Sequence, residues 1–397
     1  MLRPFSKDIL LPQEERLAIQ FRKSELRIGI PKERRLQEKR ICLTPDAIGT
    51  LVAHGHQIII ESGAGEGANF SDNDYSEVGA KITYDTEQVY KSNIVLKVEP
   101  PDQSEIEMME PGSIIFSALQ LKTQKKEIVE EILRKKIIAI AWEFLKDEQG
   151  KTSIVRSQSE IAGTASILIA AELLAKPLLG KNLLLGNISG VPPAQVVVIG
   201  AGTVGEYAVK TAIGLGASVK LFDNSVTRLR RLKSIVEGNV YTSTIQPGII
   251  LDALERADVV VGALKGETRT PIIITEPMVA RMQEGSVIID VSIDRGGISE
   301  TSEVTSHANP IVIKHGVVHY GVPNIPARYS RTASYSLSNI FLPYLLKIGE
   351  KGGIDDAAYV NHGLRQGIYA FKGVLTNKTL ANWFQMSYKD INLFFIK

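Results

Sequence analysis

The sequence predicts an α/β protein built on two largely parallel sheets, and three observations carry that prediction. Short apolar, β-branched runs alternate with helix-period stretches along most of the 397 residues, the pattern of strands covered on both faces by crossover helices. Residues 194–223 hold a complete strand, glycine turn, helix and strand in sequence. A long helical run beyond residue 330 can cross back onto the sheet formed by the N-terminal half.

In chain order, RIGIPK at 27–32 opens as a strand. Thr44 is placed to cap a helix with Pro45 at its first position, and the helix ends near Gly55. QIIIE at 57–61 is the next strand. Gly63, Gly65 and Gly67 then imitate a nucleotide loop, but no apolar helix follows and Glu66 would face the phosphates, so they read as a structural loop. Strands follow at 94–98 (IVLKV), 113–117 (SIIFS) and 137–142 (IIAIAW), with a charged helix over 123–136. SQSE at 157–160 matches a capping box ahead of an apolar helix over 161–175.

The central unit reads AQVVVIGAGTVGEYAVKTAIGLGASVKLFD. Gln195 to Ile199 form a buried strand. Gly200 allows the tight turn, Gly202 lets backbone approach a pyrophosphate, and Gly205 lets helix and strand pack closely. The helix N-terminus that follows, beginning Thr203-Val204, offers N–H groups and partial positive charge to phosphate. Asp223 ends the next strand, where a carboxylate bonds a ribose hydroxyl and repels a 2′-phosphate, favouring NAD over NADP. Arg228, Arg230 and Arg231 read as a solvated helix face. The alternation continues through 258–264 and 286–290, and Asp294 then lies in a glycine-flanked loop after a strand's C-terminal end, the edge where open α/β sheets bind ligands.

The expected layout is an N-terminal extension over 1–26, helical around 13–22, a first domain from 27–155 plus 331–397, and a nucleotide domain from 156–330. The net charge of +2 gives no electrostatic case for nucleic acid. A single cysteine, Cys42, excludes an internal disulfide and suits a reducing compartment. The six histidines lack metal-ligand spacing, no apolar run is long enough to span a bilayer, and no secretory leader core is present, so a cytoplasmic protein without a metal is expected.

Taken together, RIGIPKE, EKRICLTPDAI, ESGAGEGANFSD, SEIAG, VPPAQVVVIGAGTVG, VIIDVSIDRGG, HYGVPNIP and LSNIFLPYLLK resemble the alanine dehydrogenase and transhydrogenase superfamily over roughly residues 27–375. The resemblance implies two Rossmann-like domains with NAD in the cleft between them, assembly into a homo-oligomer, usually a hexamer, and NAD-dependent oxidation of L-alanine to pyruvate and ammonia. It matches Arg40 to a carboxylate-binding arginine and Asp294 to the active-site aspartate. Ser159 falls in a loop meeting the cofactor, Asn324 and Ile325 match a pair beside the nicotinamide, and Asp223 and Arg228 match residues around the adenosine ribose. Two positions depart: the family's substrate lysine is Glu99, and its acid/base histidine is Gln120. Lys97, on the same strand face as Glu99, is a candidate stand-in reaching the cleft, and Glu99 can pair with Arg40 or take the substrate amine. The alternatives are a catalytically altered or inactive NAD(H)-binding homologue, and a dehydrogenase for another substrate.

Overall fold

The computed structural model describes residues 24–34, 37–121, 123–266 and 269–396. Residues 1–23 of the expected extension, including its helix, lie outside them.

The first sheet holds β1 (Arg27–Ile30), β2 (Gln57–Glu61), β3 (Lys81–Thr83), β4 (Ile94–Leu96), β5 (Ile114–Ser117) and β6 (Ile138–Ala141). The second holds β7 (Gln195–Ile199), β8 (Ser218–Phe222), β9 (Val240–Ser243), β10 (Val259–Gly262), β11 (Val287–Asp290), β12 (Ile311–Lys314) and β13 (Val317–Tyr320). After the second sheet the chain returns to the first and adds β14 (Ile368–Phe371) and β15 (Val374–Leu375). The first sheet has eight strands in the order β15-β14-β6-β5-β4-β1-β2-β3, and the second has seven in the order β12-β13-β11-β10-β7-β8-β9. Both sheets are parallel except at one edge, where β14 and β15, and β12 against β13, run antiparallel. The architecture is therefore two doubly wound α/β sheets, as the alternating pattern predicts.

In each sheet the winding reverses once, between β1 and β4 and between β7 and β10. The crevice beyond the carboxyl ends at such a reversal is where this class of sheet takes ligands. Both faces of each sheet are buried. In the first, Ile28, Ile30, Leu96 and Phe116 pack against Leu337, Phe341 and Leu345 of the Ser330–Glu350 helix, while Val95 and Ile115 pack with Val129 and Ile132 on the other side. This is the crossing-back helix expected from the sequence.

Two caps differ from expectation. The SQSE residues lie inside a longer helix, Ser153–Ala175, whose N-cap is Thr152, so no capping box forms there. Thr44 does precede its helix, but its hydroxyl meets Ser338 Oγ at 3.1 Å instead of capping. At Thr44 a tertiary partner replaces the local bond, whereas Ser157 and Glu160 bond within their own helix, to the Ile154 carbonyl and Arg156. The Ser153–Ala175 helix packs tightly on Thr203–Gly214: a Cβ at Gly163 would lie 2.3 Å from the Val204 carbonyl oxygen.

Candidate active site

The glycine turn has the three distinct environments expected of it. Gly200 has φ +118°, and a Cβ there would stand 2.4 Å from the Ala263 carbonyl oxygen at the end of β10. Gly205 is closed by Gly200 itself, whose carbonyl oxygen would lie 1.8 Å from an added Cβ. Gly202 alone of the three faces open space, with nothing within 4 Å of an added Cβ, although its backbone is ordinary. A side chain is thus excluded at Gly202 by nothing inside the protein, which fits a cradle kept for a phosphate group. Gly63, Gly65 and Gly67 contrast with this. Added Cβ atoms at Gly65 and Gly67 would strike Tyr75, Phe70 and Lys39 within 3 Å, and Glu66 opens a 3₁₀ turn, so this is the structural loop expected.

Asp223 lies beside that turn, buried, with Oδ2 accepting from Ala201 N–H and Oδ1 from Ser225 N–H, both at 2.7 Å. Its carboxylate orders the turn in addition to any ribose contact. Arg228 is exposed, with Nη1 3.9 Å from Asp223 Oδ2.

At the carboxyl ends of the first sheet, Arg40 is buried and held as a fork on Glu38, with Nε to Oε1 at 2.7 Å and Nη2 to Oε2 at 2.6 Å. Burial pushes the Glu38 carboxyl up, but the guanidinium and Asn324 outweigh it and hold it below the usual range. Nη1 of Arg40 donates to Gln158 Oε1 at 3.0 Å, and Nε2 of Gln158 is buried with no hydrogen-bond partner among the described residues. An unmet amide donor beside a guanidinium fits an incoming carboxylate. Asn324, in the left-handed region at φ +58°, donates from Nδ2 to Glu38 Oε2 at 2.9 Å and so joins the end of the second sheet to the first.

Lys97, the candidate stand-in for a substrate lysine, is buried with its ammonium paired to two carboxylates. Burial alone would lower its pKa, yet Glu33 and Glu105 raise it, with Nζ 3.1 Å from Glu105 Oε2 and 3.5 Å from Glu33 Oε2. Glu105 also accepts from Tyr90 Oη and the Asp102 N–H. Glu33 is pushed up to about 7, chiefly by burial and against the pull of Lys97. A carboxyl with a raised folded pKa holds its proton while the unfolded chain has already ionised. Stability therefore falls as pH rises from 4.5 to about 7 and is level above that. Glu33→Gln should gain about 3 kcal/mol on the wild-type chain across that window, as read by urea unfolding at pH 5 and pH 8. A pH-independent difference would refute the assignment.

Glu99 and Gln120 meet each other: Gln120 Nε2 donates to Glu99 Oε2 at 2.8 Å. Gln120 has φ +47°, and the loop is pinned there by Glu143, whose carboxylate accepts the N–H groups of Leu119 and Gln120 at 3.0 and 2.9 Å. Glu99 is buried and lies within electrostatic reach of Arg40.

Three further expected residues are not drawn into this cluster. Asp294 is exposed on a 3₁₀ turn after β11, with Arg295 and Lys265 as charged neighbours. The turn is fixed by buried Asp290, which accepts from Ser292 N–H and Ile298 N–H. Ser159 sits within a helix instead of a loop, its hydroxyl donating to the Val155 carbonyl at 2.7 Å. Ile325 is buried in the second domain's core. Among the described residues no group of three or more His, Cys, Asp or Glu could hold a metal ion. Burial pushes the Cys42 thiol well up, which leaves it a core thiol.

Two doubly wound sheets, with an open glycine turn at the end of a strand in one and a buried arginine at the end of the other, fit the class of dinucleotide-binding α/β proteins. Comparison with known proteins narrows the class. The family model "Alanine dehydrogenase/PNT, N-terminal domain" matches residues 29–162, and "Alanine dehydrogenase/PNT, C-terminal domain" matches 166–378. The chain is 38% identical over 368 residues to "Alanine dehydrogenase 2" of Staphylococcus aureus strain Mu50, covering 92% of this chain and 98% of that one. It is 39% identical over 368 residues to "Alanine dehydrogenase" of Staphylococcus epidermidis, covering 92% and 99%. A solved L-alanine dehydrogenase superposes with TM-score 0.84 at 35% identity, covering 91% of this chain and 99% of that one. A transhydrogenase from Sinorhizobium meliloti, at TM-score 0.74 and 22% identity over 89% of this chain and 99% of that one, shares the fold. The chain belongs to the alanine dehydrogenase/PNT family.

Proposed function

We propose that this protein is an NAD-dependent dehydrogenase that oxidises L-alanine, with water, to pyruvate and ammonia, and runs the reverse. The observation that carries the reading is the pairing of the open Gly202 turn with buried Arg40 and its unsatisfied neighbour Gln158. NAD, when bound, supplies the hydride acceptor. The residues suited to holding it are Gly200, Gly202, Thr203, Val204 and Gly205 at the pyrophosphate and Asp223 with Arg228 at the adenosine ribose. Ser159, Asn324 and Ile325 are assigned to the nicotinamide end by family resemblance.

Arg40 keeps one edge on Glu38, so a substrate carboxylate is taken by the remaining guanidinium N–H groups together with the Gln158 amide. Asp294, exposed on its turn, is assigned to orient the water that hydrolyses the imine, and Gln120 donates a hydrogen bond to a carbonyl oxygen. We assign the protein to the cytoplasm as a homo-oligomer, a hexamer by resemblance. Among the described residues no helix is long and apolar enough to cross a membrane.

The test is NADH formation over a panel of amino acids from pH 7 to pH 10, with L-alanine expected to be the best substrate. Saturable NADH binding with no turnover on any of them would replace this reading with that of an NAD(H)-binding homologue. Asp223→Ser should shift cofactor preference toward NADP by about tenfold, since a carboxylate repels a 2′-phosphate. An unchanged ratio of kcat/KM for the two cofactors would remove Asp223 from the ribose.

A further inference from the structure

The crevice between the carboxyl ends of β7 and β10 has two walls. One is the glycine turn, which offers helix N–H groups but no basic side chain, since residues 200–205 read GAGTVG. Acids stand beside it: buried Asp223 on the turn, and Glu206 one residue further on, paired with Lys210 and Arg231. A pyrophosphate brings more negative charge to this wall, and the partial charge of a helix end offsets only part of it.

The other wall is basic. The loop after β10 abuts the turn: Ala263 N–H donates to the Ile199 carbonyl at 2.8 Å, and a Cβ at Gly200 would lie 2.9 Å from Leu264 N. Lys265 follows directly. Ser292 Oγ donates to the Leu264 carbonyl at 2.7 Å and Arg295 Nη1 to the Gly266 carbonyl at 2.9 Å, so the turn after β11 grips this loop on both sides of Lys265. Arg269 lies against the same turn, its Nε 2.9 Å from where a Cβ on Gly296 would stand. The next residue, Thr270, donates its N–H to the Arg295 carbonyl at 2.9 Å.

Three cations are thereby gathered on two short loops. Among the described residues Asp294 is the acid beside them, its Oδ2 3.9 Å from Arg295 Nε, and neither Lys265 nor Arg269 makes an ion pair. Partial burial and the Arg295 guanidinium hold the Lys265 ammonium below its ordinary range, against the pull of Asp294. Like charges held together without matching acids favour an anionic ligand. We propose that Lys265 and Arg295 form a cationic wall that meets the pyrophosphate of the dinucleotide across the crevice from the Gly202 turn, with Arg269 at its rim. The inference rests on the dinucleotide reading above. A substrate carboxylate is met on the first sheet by Arg40, whereas this wall belongs to the second sheet and stands against the glycine turn itself. Arg295 also positions the loop through Gly266, so Lys265 is the residue whose substitution reports on the ligand rather than on the fold.

The experiment is calorimetric titration of NADH, ADP-ribose and adenosine into the wild-type, Lys265→Met, Lys265→Arg and Lys265→Glu chains. Losing a charge-assisted bond should weaken NADH and ADP-ribose alike by about tenfold in Lys265→Met, and charge reversal should weaken both by about 100-fold in Lys265→Glu. Lys265→Arg should stay within about threefold of the wild type, because the cation is kept. Adenosine, which lacks phosphate, should bind every chain alike. Added salt should weaken NADH binding less in Lys265→Met than in the wild type, since one screened attraction is gone. Unchanged affinity for NADH and ADP-ribose in Lys265→Met and Lys265→Glu overturns the assignment. Equal losses for adenosine overturn it too, by placing the effect in the fold. A loss confined to the KM for L-alanine would give the cluster to a substrate carboxylate and likewise overturn it. A wild-type chain that binds no NADH refutes the dinucleotide reading itself, and the cationic wall falls with it.

Discussion

Gly202→Ala should fold as well as the wild-type chain and lose its dinucleotide, whereas Gly205→Ala should fail in stability first. The two glycines stand three residues apart, one extended before the Thr203–Gly214 helix and the other inside it, and their surroundings differ. At Gly202 the backbone is extended, with φ −78° and ψ −168°, so alanine adopts it without strain, and its methyl meets no protein atom within 4 Å. Lower unfolded-state entropy should even add about 0.5 kcal/mol. The methyl enters the volume through which a phosphate must approach the helix N-terminus, and NADH affinity should fall at least tenfold, roughly 1.4 kcal/mol. At Gly205 the methyl would lie 1.8 Å from the Gly200 carbonyl oxygen. That atom is backbone and cannot turn aside, so the helix must move off the strand, at about 3 kcal/mol or more. Thermal unfolding and NADH calorimetry on both variants separate the roles. Equal effects on stability would mean that the Gly202 cradle is an ordinary turn.

Arg40→Met should be the most damaging substitution in the substrate half. Glu38 is almost wholly buried, and its charge is met chiefly by the Arg40 fork. Removing the guanidinium leaves a buried carboxylate with Asn324 and two backbone N–H groups, a change expected to cost about 3–5 kcal/mol. Arg40→Lys keeps a cation but cannot reproduce the fork to Glu38 and the Gln158 bond together. It should fold, and its kcat/KM for L-alanine should fall on the order of 100-fold through loss of charge-assisted bonds. Arg40→Met with Glu38→Leu should recover stability without activity, which distinguishes the structural from the binding role. Full activity in Arg40→Lys would remove Arg40 from the substrate carboxylate.

What the sequence made legible was local or periodic. The Gln195–Ile199 run, the three glycines and the alternation of strands with helices each depend on neighbours a few residues away, and each stands where it was expected. What stayed hidden were pairings set by tertiary approach. Glu38 and Asn324 are 286 residues apart, and Arg40 and Gln158 are 118 apart. Glu143 pins Gln120 from 23 residues away. No spacing rule marks such partners. Lys97 illustrates the same limit: strand alternation put it on the face of Glu99, but its ion pairs with Glu105 and Glu33 come from tertiary approach. Asn324 carried a usable signal, since asparagine is among the few residues that enter the left-handed region readily, here just before a proline-containing turn.

The central claim is direct passage of hydrogen from the substrate's Cα to a dinucleotide held over the Gly202 turn. Incubating the protein with L-alanine deuterated at Cα and NAD, then analysing the reduced cofactor by mass spectrometry and NMR, tests it most directly. One deuterium per NADH, on a single face of the ring, is the predicted result. NADH formed without deuterium, or no reduced cofactor from a protein that binds both ligands, would contradict it.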